Sequence, residues 1–232
     1  LAHRSIADLE AAGLRLLLNT TANSVDVDTR RLSVVNPNGR ESQLRYDELV
    51  VGTGASPMRP PIGGLDTLGP DHGVFLLHTM DDTFGLTEFI DTHHPATAII
   101  VSAGYLGLEM AEALTTRGMR VTQVEMLPEV LSTVDPSLGR LVRDRLTTAG
   151  VEVRTETAVH RIEPDGAHLR VLGDHQLDRT VDLVLVVAGV QPETTLAAAA
   201  GARLGPRGAV EVDRRMHTGI PHVWAAGDCV VT

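Results

Sequence analysis

Lysine is missing altogether: all twenty cations among the 232 residues are arginine. No Schiff-base lysine is therefore available, nor the lysine of a G-x-x-x-x-G-K-[ST] phosphate loop. Cysteine is reduced to Cys229, which cannot form an internal disulfide and fits a reducing, cytoplasmic setting. Aromatics supply only 3% of the chain, so the core must be built from Leu, Val, Ala and Ile. No apolar run approaches the ~20 residues of a membrane span; the longest, LVLVVAGV (183–190), reads as a buried strand. Positive charge is scarce too. The formal net charge of −10 disfavours nucleic acid and anionic membranes as partners, although acid also serves plain solubility. His93, His94, His217 and His222 do not fall at metal-ligand spacings with acids or with Cys229. GTGASPM (52–58) contains a serine but lacks the G-x-S-x-G elbow of a serine hydrolase. The chain opens on Leu1 with neither methionine nor a signal pattern, which predicts a piece of a longer protein.

What is present is an ordinary globular balance, 43% apolar and 22% charged. Ser5 can cap a short helix that Gly13 ends, and strand-like runs follow at 14–18, 22–28 and 31–36. SPMRPPIGGLDTLGPDHG (56–73) is too rich in proline and glycine for a helix and is the best candidate for a domain boundary. Beyond it, helix is predicted over 79–92. A buried strand at 97–101, a helix over 105–117 and a second strand at 120–125 follow. The helix carries Leu106, Met110, Ala113 and Leu114 on one face. Asp135 and Pro136 then open another helix, cap first and proline in the first turn. A third strand, short strands near 157–163 and 167–172, and a buried strand at 181–187 complete the series. Strand–helix alternation with short connections predicts an α/β fold with a parallel, doubly wound sheet.

Between the strand at 97–101 and the helix at 105–117 lies SAGYLG (102–107), the layout of a dinucleotide-binding turn with Ser102 in place of the first glycine. In G-x-G-x-x-G the first glycine permits the tight turn, the second lets backbone approach the pyrophosphate, and the third lets helix and strand pack closely. Gly104 and Gly107 hold the second and third places, and the helix mouth at Tyr105 and Leu106 would point its amides at phosphate. A small hydroxyl residue at 102 tolerates the turn and can satisfy a local backbone group. Glu125 ends the second strand about twenty residues on, where an acid accepts from ribose hydroxyls. A carboxylate there repels a 2′-phosphate, and Met126, Leu127, Pro128 and Glu129 bring no arginine to neutralise one, so NAD(H) is favoured over NADP(H). A glycine-tight turn that binds nothing remains the bland alternative.

Four motifs then occur in a telling order: YDELVVGTGASPMRPP (46–61), AIIVSAGYLGLEMAEAL (98–114), VVAGVQPET (186–194) and HTGIPHVWAAGDCV (217–230). Together they resemble the FAD-dependent pyridine nucleotide–disulfide oxidoreductases, most of all the subgroup of coenzyme A-disulfide reductases, NADH oxidases and NADH peroxidases. The resemblance implies a two-domain, glutathione reductase-like architecture, with a Rossmann-like NAD domain (77–193) inserted into a partial FAD domain (1–76 and 194–232). It implies that Thr53, Gly54 and Ala55 contact the flavin nucleotide and that Asp228, after Gly227, bonds the ribityl chain of FAD. It further implies that Tyr105 covers the flavin in the empty nicotinamide pocket, that Glu109 lies near flavin and nicotinamide, and that Gly189 and Val190 flank the nicotinamide. Alone, each match has a plain reading: a strand-ending turn, a helix cap, a packed tyrosine.

The departures are as informative. The family's amino-terminal FAD fingerprint, the redox cysteine after it and the carboxy-terminal dimerisation domain are not in this sequence. Nor is the lysine that usually pairs with the glutamate at 109. Cys229 follows the flavin aspartate and reads as a small buried residue. The implied parent is a homodimer that passes hydride from NADH to FAD and on to a disulfide, peroxide, oxygen or redox-protein acceptor. This chain alone is expected to bind NADH weakly and to hold FAD poorly. The rival reading is a non-catalytic NAD-sensing module, which would have no need of Thr53–Ala55 and Asp228 meeting at one site.

Overall fold

The protein is described here by a computed structural model that covers residues 4–232. The chain opens with α1 (Ile6–Ala11), then β1 (Thr21–Asp26), β2 (Arg31–Val35), β3 (Glu41–Arg45), β4 (Leu49–Val51) and β5 (Ala55–Pro57). Next come β6 (Val74–Leu76), α2 (Met80–His93), β7 (Thr97–Val101), α3 (Tyr105–Thr116), β8 (Arg120–Val124), α4 (Pro136–Thr148) and β9 (Glu152–Arg154). β10 (Val159–Asp165), β11 (His168–Gly173), β12 (Leu177–Val181) and β13 (Leu183–Val186) follow. The chain closes with β14 (Val190–Pro192), α5 (Thr195–Ala199), β15 (Val210–Glu211), β16 (Val223–Ala225) and β17 (Val230–Val231).

Two compact units result, one formed by the residues up to Ala55 with Gln191–Thr232, the other by Ser56–Val190. The second is built on a five-stranded, all-parallel sheet in the order β6-β13-β7-β8-β9. Its central strands, β7 and β13, are apolar on both faces because both are covered. Ile100, Leu183 and Leu185 point into a core with Leu86, Ala111 and Leu114 from the helices. Ile99, Val184 and Val186 point the other way, against Ile162, Val171 and Leu177. The four residues of β13 are all buried, each contributing about 1.5–3 kcal/mol relative to exposure. Helices cover one face; the antiparallel trio β10–β11–β12 covers the other. The alternation in the sequence thus marks the parallel sheet, while the second covering layer is sheet and not helix.

The caps are where the sequence places them. Asp135 accepts from the Ser137 amide with Pro136 in the first turn of α4, and Ser5 forms a reciprocal capping box with Asp8.

Three expectations shift. Residues 14–18 form no strand, since apolar alternation needs a neighbouring strand to pair with and none of the described residues supplies one. The unit boundary falls at the start of the proline-rich segment, which does not link the units but belongs to the second: Ile62 and Leu65 are buried there, and Gly63 exchanges backbone bonds of 2.8 Å with His160 and Ile162. Helix α3 is rotated from the face read in the sequence. Gly107, Ala111 and Leu114 are its buried residues, while Leu106 and Ala113 are exposed. Small residues win the inward face because the helix must lie close against the strand.

The first unit has the antiparallel trio β1–β2–β3, the parallel pairs β4–β16 and β15–β17, and a small core of Val51, Ala197, Ala202, Val210, Val223 and Ala225.

Candidate functional site

In the second unit the chain runs from β7 outward through β8 to β9, while β13 lies on the other side of β7. The order reverses between β7 and β13, and the carboxyl ends of such strands are where open α/β sheets take ligands. Ser102 follows β7, and Gly189 and Val190 follow β13; Val187 N donates to Val101 O at 3.0 Å, keeping the two strand ends in step.

Ser102 has φ of +91°, a backbone state suited to glycine and rare for any other residue. Its hydroxyl lies 3.4 Å from the Glu125 carboxylate, so it turns to a side chain and not to a backbone group as the sequence reading expected. Ala103 is buried; its amide donates to Glu125 Oε2 at 2.7 Å, and its carbonyl accepts from Leu131 N at 2.9 Å. Glu125 is only 7% exposed and accepts also from the Leu127 amide at 3.0 Å. The acid that follows β8 therefore braces the turn. Each carboxylate oxygen has two lone-pair sites, so capacity is left for a further donor.

The two glycines behave differently. A Cβ on Gly107 would strike the Ser102 carbonyl, so glycine is required there by the protein itself. At Gly104 the nearest atom to a Cβ would be Ser102 Oγ, 4.0 Å away. Nothing in the protein demands glycine at 104. Gly104 caps α3 with no side-chain bond, and the first turn contains no acid. The amides of Tyr105, Leu106 and Gly107 thus lack intrahelical acceptors, and the positive end of the helix has no acidic side chain in that turn to offset it.

Tyr105 is 63% exposed. Glu109 stands one turn further on, exposed and without an ion-pair partner among the described residues; with Glu112 and Arg145 it rims a groove of about 700 Å³ between α3 and α4. Gly189 has φ of +92° and open space around its Cβ position, and Val190 is partly exposed.

In the first unit, β4 and β16 are parallel neighbours with Val51 opposite Ala225. Thr53–Ala55 and Gly227–Asp228 follow the carboxyl ends of these strands, so the fold brings the two motifs together. Ala226 N donates to Val51 O at 3.0 Å, and Glu193 N to Gly54 O at 2.9 Å. The Thr53 hydroxyl donates to the Glu193 carbonyl. Gly54 and Gly227 both have positive φ, and Asp228 is exposed. Cys229 is fully buried, its sulfur 3.4 Å from Ala226 O, a packed thiol.

Gln123 escaped the sequence reading. It is fully buried and donates from Nε2 to the Ser102 carbonyl at 3.2 Å. The available signal was a polar residue between Val121 and Glu125 in the inward register of a buried strand. Among the described residues no group of three or more His, Cys, Asp or Glu could hold a metal ion, and no helix is long and apolar enough to cross a membrane.

The model of the pyridine nucleotide-disulphide oxidoreductases matches residues 3–232. The chain belongs to that family. It is 36% identical over 216 residues to an NADH oxidase of Methanocaldococcus jannaschii, covering 93% of this chain and 47% of that protein. It is 33% identical to a CoA-dependent NAD(P)H sulfur oxidoreductase of Pyrococcus abyssi, covering 97% and 48%. Among solved structures, an NAD-dependent persulfide reductase from A. fulgidus superposes with a TM-score of 0.91 at 32% identity, covering 98% of this chain and 41% of that one. The chain spans about half the length of the curated relatives it matches.

Proposed function

We propose that the chain is part of an FAD-dependent NAD(P)H oxidoreductase that prefers NADH, with the dinucleotide held by the second unit and part of the flavin by the first. The observation that carries this reading is the open mouth of α3: a glycine at 104 that the protein does not need, under amides with no intrahelical acceptor. Both are accounted for by a diphosphate approaching the backbone. The residues present fit the coenzyme. The amides of Tyr105, Leu106 and Gly107 would hold the diphosphate, the spare acceptor capacity of Glu125 would take a ribose hydroxyl, and Gly189 and Val190 would flank the nicotinamide.

Thr53–Ala55, Gly227 and Asp228, meeting beyond β4 and β16, fit a flavin nucleotide in the same manner. That convergence favours a flavin enzyme over an NAD sensor. On this reading the first unit is part of the FAD domain and the second unit, Ser56–Val190, is the NAD domain. Bound together, the cofactors supply hydride transfer between nicotinamide and flavin. The chain's own part is to orient, to exclude water and to set affinity. Tyr105 would cover the nicotinamide position and yield to the coenzyme, and Glu109 would lie beside it. The acceptor beyond the flavin is a disulfide, peroxide, oxygen or a redox protein, and the parent is a homodimer.

Titration with NADH and with NADPH, followed by nicotinamide fluorescence and by melting temperature, tests the reading. NADH should bind and raise the melting temperature, with NADPH weaker. Unchanged fluorescence and melting with both would overturn it.

A further inference from the structure

Three residues converge on one atom, the carbonyl oxygen of Ser102. Gly107 leaves room for it, since any Cβ there would strike it. Gln123 Nε2 donates to it at 3.2 Å. Ser102 itself presents it through a φ of +91° that serine rarely adopts. The orientation of the amide follows from chemistry, because the opposite one would set Oε1 against another acceptor. Gln123 Oε1 has no hydrogen-bond partner among the described residues, and the side chain is fully buried. An apolar residue of similar size would bury no unpaired Oε1 but would strip the Ser102 carbonyl of this donor, so the glutamine is held in β8 at a cost that its one bond must offset. A glycine at 102 would adopt this backbone unaided.

We propose that Gln123 is a positioning residue for the coenzyme, holding the serine-bearing turn in the shape that presents the α3 amides to the diphosphate. This rests on the turn being the coenzyme site. Gln123 and Ser102 then work as a pair, the buried amide compensating for the absent first glycine. Gln123 touches the turn and not the reacting atoms, so its loss weakens binding in ground and transition states alike. In the complete enzyme KM rises while kcat holds.

A double-mutant cycle tests this, with Gln123→Met, Ser102→Gly and both together on the 232-residue chain, read by NADH titration and by melting without coenzyme. Gln123→Met should weaken NADH roughly tenfold when Ser102 is retained but less than about threefold in the Ser102→Gly background. The drop in melting temperature should shrink in the same background. Additive effects in both readouts overturn the proposal while leaving the coenzyme site intact. No NADH binding by the unaltered chain overturns the site and the proposal together. Failure of Gln123→Met to fold with Ser102 retained, but not when combined with Ser102→Gly, supports the pairing; failure in both backgrounds overturns it.

Discussion

Replacing Glu125 separates its two duties, bracing the turn and selecting the coenzyme. The carboxylate takes the Ala103 amide on one oxygen at 2.7 Å and the Leu127 amide on the other at 3.0 Å. In Glu125→Gln one of these oxygens becomes an NH₂ group. The favourable orientation keeps the bond to Ala103, which is fully buried, and turns the NH₂ toward Leu127, which is 40% exposed and can take water instead. The loss is then one charge-assisted bond and the weakening of another, about 2 kcal/mol. Glu125→Ala removes both and leaves the Ala103 donor buried and unpaired, for about 4 kcal/mol. At roughly 2–4 °C per kcal/mol for a unit of this size, the glutamine variant should melt about 4–8 °C lower and the alanine variant about twice as far. Thermal unfolding followed by circular dichroism measures both shifts, and amide hydrogen exchange at Ala103 localises them. Removing the negative charge should also narrow the preference for NADH over NADPH. An alanine variant that melts within about a degree of the parent, with Ala103 exchange unchanged, would refute the bracing argument. An unaltered NADH/NADPH ratio in the glutamine variant would refute the selective one.

Other consequences follow from particular contacts. Gly107→Ala forces its Cβ against the Ser102 carbonyl and within 3.0 Å of Gln123 Nε2. It should cost about 1–3 kcal/mol and abolish NADH binding, as melting and titration will show; a tolerated alanine would mean that α3 can withdraw from the strand. Burial would raise the Asp182 carboxyl, but hydrogen bonds from the Thr97 hydroxyl, the Ala96 amide, His168 and the Thr97 amide outweigh it and hold it below the ordinary carboxylate value. The stability this contributes is complete above the unfolded value near pH 4 and is lost as pH falls through the depressed folded value. Asp182→Asn should therefore be less stable at neutral pH and show a shallower acid limb in denaturant titrations; an unchanged limb would count against it. Cys229, buried against the Val51 and Ala226 carbonyls, should react with a thiol reagent only as the first unit unfolds, and fast labelling of the native chain would contradict that packing.

The parallel sheet and its helices were legible because strands buried on both faces are uniformly apolar and because caps and glycines are local signals. Asp135–Pro136 and Gly118 mark helix ends in any context. The meeting of 53–55 with 227–228 was legible only through the order of motifs, since pairing of β4 with β16 joins segments far apart in the chain. The face of α3 was misread because hydrophobicity ranks Leu106 above Gly107, whereas close packing on a strand prefers the residue with no side chain. The strand expected at 14–18 failed for want of a partner, which no local pattern can report.

By itself the sequence determined what depends on neighbours along the chain: the alternation of strand and helix, the glycine turn, the acid at the end of β8, and the exclusion of lysine chemistry. Only the tertiary structure decided which groups compete for the same atoms. That Glu125 braces the turn, that Gln123 reaches the Ser102 carbonyl, and that Gly104 is open while Gly107 is closed in all depend on distances between separate strands and a helix. Those distances are set by packing, and packing is a property of the folded chain as a whole.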